Sequence, residues 1–473
     1  MVEDLLGYAV EKALEMGARY AEARYHSNRG FQSYFLNKQL IGASYVDETG
    51  IAVRVIVGNG MGFSSTSAIS RESVAGAVER AVASAKTSST RARKPLRLSE
   101  ERLGRASYSV EEKIRLGSLS EEDKIGMVKE TIQGVELSRG DVKVQSFTLS
   151  YNEWVEEKVV VTSDGAKVSS RIPRVEVFYN LSAAHGDRRA NRWNQVAATG
   201  GFEVFKDAKL DSIANDDVDS LVTNLTKARS PPRGRLDVIL SPEIVGLSIH
   251  EAAGHPSEAD RVLGREAAQA GLSYRMELGE GYEIGSEHVT VIDDPTIPGS
   301  YGYYLFDDEG VPARPRFLIR NGRLAELLHN RETGPFYGVG SNASARAVDY
   351  RSEPIVRMGN TYLAPGDYSF EELVEGVKEG VYVKKYMEWN IDDYRWVARY
   401  VGLEAYLIKN GQLGEPLRNV VLEINTREYF TRMDAIGKDL VFFAGTCGKG
   451  EPSQPLPVWM GGPHVRLRGV EVR

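Results

Sequence analysis

Apolar positions recur along this chain with two different periods. Between residues 4 and 18, Leu5, Val10, Ala13 and Leu14 fall at helical spacing. The stretch GIAVRVIVGNGMGFSSTS then alternates, with Ile51, Val53, Val55 and Val57 on one face ahead of a Gly-rich turn and Phe63, which predicts a strand entering a hairpin. Helical spacing returns in SRESVAGAVERAVASAKTS, opened by Ser70 with Glu72 and Ser73 in its first turn. Residues 1–95 therefore read as an N-terminal α/β domain.

The pattern breaks at STRARKPLRLSEERLGR, residues 89–105, where clustered Ser, Arg and Lys with one Pro predict a solvated linker. A helix follows in SLSEEDKIGMVKETIQGVELS: Ser120 can cap it, Asp123 sits three residues on, and Ile125, Val128, Ile132 and Val135 form its stripe. Period-two alternation around the turn SDG then predicts an antiparallel meander, so that 110–225 form a central α/β region. A second breaker, ARSPPRGR at 228–235, opens a C-terminal region, 230–473, of short strands and Gly or Pro turns. The expected class is α+β, with one helix set into a large, mainly antiparallel β domain.

Composition narrows the class of function. A length of 473 residues favours two or three domains, and 42% apolar with 26% charged residues is ordinary globular usage. A net charge of −7 argues against nucleic-acid binding, which needs concentrated Lys and Arg. The single cysteine, Cys447, excludes an intrachain disulfide and fits a reducing compartment. The amino terminus reads as an amphipathic helix rather than a secretion signal, and no stretch approaches the roughly 20 apolar residues of a membrane span. A cytoplasmic enzyme or binding protein is expected, with no nucleic-acid or membrane partner.

The chemistry concentrates in LSIHEAAGHPSEAD, residues 247–260. Ser241 is suited to N-cap a helix with Pro242 at its first position, running to about residue 253 with Ile244, Val245, Leu247 and Ile249 as its apolar flank. His250 and His255 are five residues apart, a step that leaves about 140° between side chains on a regular helix, against about 40° for four residues. To meet at one ion they need a broken or widened helix. Gly254 can take unusual conformations, Pro256 disfavours right-handed geometry at His255, and a π-bulge would absorb the extra residue. Two imidazoles with Glu251 beside them suit zinc hydrolysis, the carboxylate taking a proton from the attacking water and passing it to the leaving amine. A third ligand is required. Glu258 and Asp260 are favoured by spacing, with His464 and Cys447 as further candidates; without metal, the two histidines would simply satisfy backbone carbonyls at a helix end.

The segments GIAVRVIVGNGMGFSSTS, IHEAAGHPSEAD, GYYLFDDEGVPARPRFLIRNGRL, GSNASARA, PIVRMGNTYLAPGD and GTCGKGEPSQPLPVWMGGPHV, in that order, resemble the TldD/PmbA family, also called modulators of DNA gyrase. HEAAGH places the resemblance on the metal-binding TldD branch, since the PmbA-like subfamily lacks this motif. The resemblance implies a zinc peptidase acting on unfolded or flexible peptides in the cytoplasm. Its zinc would be held by His250, His255 and Cys447, with Glu251 as general base and Glu258 and Asp260 supporting the ligands. It also implies a dimer, either a homodimer or a heterodimer with a PmbA-like subunit. Pro256 stands where the family often has glycine.

Other motifs offer polar groups beside glycines. Asp307 and Asp308 of DDEG are candidates for a place near the site, although an acidic β-turn explains them as well. Asn342 and Arg346 of GSNASARA, and Arg357 and Asn360 of VRMGNTYL, are candidates for holding substrate backbone or an oxyanion, or for capping turns. Exposed strand edges in a cleft would suit an extended peptide. The alternative to a zinc peptidase is a non-catalytic peptide-binding or partner subunit whose metal is structural.

Overall fold

A computed structural model describes residues 2–92, 95–266 and 271–473. Alternating apolar positions between residues 20 and 199 build one eight-stranded sheet. The strand Tyr20–Leu36 pairs on one side with Gln39–Val57 and on the other with Val142–Thr162, antiparallel from Glu22 opposite Thr162 to Leu36 opposite Thr148. The N-terminal and central regions thus share a continuous sheet, with helices at both ends. Val2–Glu15 and Arg71–Ser89 bury Leu6, Val74, Val78 and Val82 with Ile51, Val53 and Val55. Glu121–Gln133 and Leu210–Thr226 pack Val128, Ile132, Val218 and Leu221 with Phe147, Leu149 and Tyr179. The predicted caps form: Ser70 accepts from the Ser73 amide and Ser120 from the Asp123 amide.

The stretch 89–105, of which residues 93 and 94 lie outside the described residues, is largely exposed, with Arg91, Arg97, Glu100, Arg102 and Arg105 on the surface as a solvated connector should be. It is also fastened to the C-terminal region at three points: the Ser99 amide donates to the Arg331 carbonyl at 2.8 Å, Glu101 accepts from the Ser341 amide at 2.5 Å, and the Gly104 amide donates to Gly310 at 2.9 Å.

In the C-terminal region, strands Gly234–Leu240, Glu379–Ile391, Val397–Lys409, Val421–Asn425 and Val465–Val472 pair into a closed ring. A six-stranded sheet lies beside it, with Val441–Cys447 as a terminal strand that, among the described residues, pairs only with Leu456–Gly462. The expected α+β architecture is therefore present. The helix Pro242–Ile249 leaves the ring strand Gly234–Leu240 and crosses the six-stranded sheet, burying Ile244, Val245, Leu247 and Ile249. At Gly246 a Cβ would stand 2.9 Å from the Met460 carbonyl carbon, so the absence of a side chain lets helix and strand touch. This contact places the helix end beside the strand that finishes at Cys447. Among the described residues, no helix is long and apolar enough to cross a membrane.

Candidate metal centre and cleft

The helix enters the site differently from its cap signature. Ser241 is extended, as an N-cap should be, but its hydroxyl makes no capping bond; its carbonyl accepts from the Val245 amide at 3.0 Å and its own amide donates to the Val383 carbonyl at 3.1 Å. From His250 to Gly254 the helix widens into a π turn, closed by the His255 amide donating to the His250 carbonyl. That turn absorbs the extra residue and returns both imidazoles to one side, with ring centroids 4.9 Å apart.

Neither expected helix breaker acts by breaking. His255 keeps right-handed dihedrals, φ −55° and ψ −43°, despite the following proline. Pro256 instead stands in the first turn of the 3-10 segment His255–Ser257, where its missing N–H forfeits no helical bond. Gly254 is also right-handed, at φ −64°. Its glycine is required by space: a Cβ would stand 2.1 Å from the Met358 sulfur.

Cys447 arrives from the terminal strand, its Sγ 3.3 Å from Nε2 of His255. Donor atoms of His250, His255 and Cys447 all lie within 4.8 Å of one another, and all three residues are buried. In a tetrahedral zinc site, Zn–N and Zn–S lengths place neighbouring N and S donors about 3.6 Å apart, close to the spacing found. Burial pushes the Cys447 thiol up, but His255, His250 and Arg357 outweigh it and hold the group well below its ordinary value, favouring the thiolate that a metal requires. Burial lowers His255, yet Cys447 and Glu258 raise it to about 9. Nδ1 of His250 is buried with no hydrogen-bond partner among the described residues, an arrangement that costs free energy unless a ligand or ion satisfies the ring. Two imidazoles and a thiolate, with a fourth position left for substrate, fit a catalytic zinc.

The acidic residues after the motif separate in role. Oε2 of Glu258 stands 3.0 Å from Nδ1 of His255, fixing the ring from the side opposite Cys447. Burial alone would raise Glu258; Lys449, His255 and Arg261 keep it well below the usual carboxylate range. Asp260 instead accepts from Nζ of Lys449 at 2.6 Å and from the Arg261 amide at 2.8 Å. His464, a candidate third ligand by sequence, is held by Asp439 at 2.5 Å and Tyr382 at 3.0 Å and is not part of the donor group.

Glu251 lines the same cleft as the three donors, a space of about 610 Å³. Its Oε2 accepts from Arg395 at 2.5 Å, and both side chains are buried. Arg395 stands in the turn between Glu379–Ile391 and Val397–Lys409 with φ 62°, an unusual conformation for a side-chain-bearing residue. The central region lines the cleft as well, with Glu176, Phe178, Asn180, Trp193 and Gln195.

The four candidate substrate-binding residues do not line this cleft; they hold backbone. Asn342 donates to the Leu327 carbonyl at 2.7 Å and accepts from the His329 amide at 2.7 Å. Arg346 donates to Met358 and Pro457 carbonyls, at 2.5 and 3.0 Å. Asn360 donates to Asp294 at 2.7 Å and accepts from Trp459 at 3.1 Å. Arg357 donates to the carbonyls of Gln454 and Cys447, thereby fixing the ligand loop. Asp307 and Asp308 are likewise away from the donors. Asp307 accepts from the Val311 and Ala345 amides, at 2.9 and 3.1 Å, while Asp308 meets Lys158 at 3.0 Å and Arg24 at 3.4 Å on the neighbouring sheet.

Sequence reasoning missed Arg395 and Glu176. Arg395 lies 144 positions from its partner, and nothing in DDYRWV marks it out locally. Glu176 sits in an alternating strand, where a lone acidic residue reads as solvent-facing.

Comparison with known proteins shows which family the chain is similar to. Family models described as PmbA/TldA metallopeptidase domain 1, central domain and C-terminal domain match residues 21–85, 114–225 and 233–473. The chain is 34% identical to a metalloprotease of Methanocaldococcus jannaschii over 97% of both chains. It is 28% identical to a zinc metalloprotease TldD homolog of Saccharolobus solfataricus over 98% of both. The crystal structure of TldE from Thermococcus kodakarensis shares the fold, with TM-score 0.76 and 17% identity over 99% of each chain.

Proposed function

The chain belongs to the PmbA/TldA metallopeptidase family, and we propose that it is a zinc-dependent peptidase acting on unfolded or flexible peptides. The observation that carries this reading is the convergence of His250, His255 and Cys447, from segments 192 positions apart, beside Glu251 in one open cleft. His250, His255 and Cys447 would hold the zinc, which supplies Lewis acidity at the substrate carbonyl. Glu251 takes a proton from the attacking water on its carboxylate and delivers it to the leaving amine. Arg395 orients that carboxylate, and Glu258 orients His255.

Among the described residues Val441–Cys447 is paired on one side only, and Thr446 is exposed. An extended peptide can add to that edge through main-chain hydrogen bonds and pass the metal donors at Cys447, a mode tolerant of sequence. We also propose that the protein works in the cytoplasm as a homodimer or with a PmbA-like subunit. Zinc analysis of the purified protein and of Cys447→Ser tests the ligand set. One zinc per chain in the first and a strong loss in the second are expected; equal zinc in both would overturn it.

A further inference from the structure

Glu176 stands in the strand Lys167–His185 and lines the cleft that holds the metal donors. Neutral donors engage its carboxylate: Nδ2 of Asn152 at 2.9 Å, Nε2 of Gln195, and the Thr446 hydroxyl at 3.5 Å. Among the described residues no Lys or Arg pairs with it. Several fully buried carboxylates of this chain do have such partners: Glu22 has Arg54, Asp217 has Arg192, Asp293 has Arg316 and Glu258 has Lys449, while Asp307 is held by backbone amides instead. Burial holds Glu176 above its ordinary value, against hydrogen bonds from Asn152, Gln195, Tyr301 and Thr446 that favour the charged form. A carboxylate on a cleft wall with only neutral partners gains free energy from a cation that enters.

The neighbouring surface suits the same guest. Phe178 follows Glu176 at the two-residue spacing that puts both on one face of the strand, and it stacks on Trp193 with ring centroids 6.1 Å apart. Phe178 is 38% exposed, and both rings line the cleft. Aromatic faces beside a carboxylate accept ammonium or guanidinium groups through the ring quadrupole.

We propose that Glu176 and the Phe178–Trp193 pair form a subsite for a cationic group of the peptide substrate, a lysine or arginine side chain or the terminal ammonium. This rests on the reading of the cleft as a peptidase site. Because Thr446 touches Glu176 and immediately precedes Cys447, the cation belongs to a residue next to the cleaved bond or to the amine at that end.

The test is calorimetric binding of alanine-based peptides to the Glu251→Gln variant, with one lysine walked along the peptide against norleucine at the same position, each with a free or acetylated amino terminus. A charge-assisted contact predicts about tenfold tighter binding of the cationic member. Adding Glu176→Gln, which keeps the side-chain shape, should bring that ratio close to one. A preference that survives acetylation assigns the cation to the side chain; one that vanishes assigns it to the terminus. Equal binding of charged and neutral peptides, or a ratio unchanged by Glu176→Gln, overturns the subsite and leaves Glu176 as a strut between Gln195 and Thr446. Cleavage by the wild-type protein separates the two claims: charge-selective binding without any cleavage refutes the peptidase and keeps the subsite, whereas cleavage indifferent to charge does the reverse.

Discussion

Gly254→Ala should destabilise this protein, although the same change in an ordinary helix is favourable by about 1 kcal/mol. The new Cβ would stand 2.1 Å from the Met358 sulfur and 3.4 Å from both its methyl and the Thr361 hydroxyl. Met358 is 1% exposed and its carbonyl is bound by Arg346, so its side chain has no solvent to move into. Overpacking of this kind costs about 1–3 kcal/mol, which leaves a net loss of up to roughly 2 kcal/mol after the helical gain. The strain falls between His250 and His255, so zinc affinity should drop together with stability. Urea denaturation, with and without chelator, and a competitive zinc titration measure both effects. Met358→Ala alone should cost about 2–5 kcal/mol by opening a cavity. In that background Gly254→Ala should change sign and become stabilising. A gain in stability from Gly254→Ala in the wild-type background would refute the close-contact account of the π turn.

His26 is fully buried and neither ring nitrogen has a hydrogen-bond partner. Burial above all, with Lys158 and Arg24, pushes it down to about 3 against the opposing pull of Glu156 and Asp308. The unfolded chain therefore takes up a proton below about pH 6.5 that the folded one refuses until about pH 3, and stability falls as pH drops through that window by up to about 1.4 kcal/mol per pH unit. His26→Gln should remove this slope in denaturation curves taken between about pH 7 and pH 4; identical slopes would contradict it. Arg395→Met strands the buried carboxylate of Glu251 and should lower stability by about 3 kcal/mol, with Arg395→Lys losing less. An unchanged urea midpoint would show that the ion pair is not what holds Glu251.

The parts of the structure that rest on local pattern were readable in advance. Ser70 and Ser120 cap their helices because a hydroxyl three residues before a free amide is a local geometry. The five-residue step from His250 to His255 required either a break or a wide turn, and spacing alone left both open. The wide turn wins because His255 and Gly254 stay right-handed while Met358 and Thr361 close over the glycine. Cys447 was beyond the reach of spacing: it joins the site through strand order, and only the likeness of GTCGKGEPSQP to a known family pointed to it. For Asn342, Arg346, Arg357 and Asn360 the sequence left substrate contact and turn support both open, because a polar residue beside glycine marks a tight loop that needs backbone support as readily as a binding loop; in the fold all four hold backbone carbonyls. Glu176 and Arg395 reach the cleft from a sheet and a hairpin distant in sequence, and no local signal carries that information.

In the proposed function Glu251 transfers the proton at a zinc that His250, His255 and Cys447 would hold. Glu251→Gln keeps the shape of the side chain and leaves all three donors in place, so one preparation can be assayed for zinc content and for cleavage of an unfolded peptide. One zinc per chain is expected, as in the wild type, with cleavage reduced by at least about a hundredfold. Zinc retained with cleavage at the wild-type rate would contradict it.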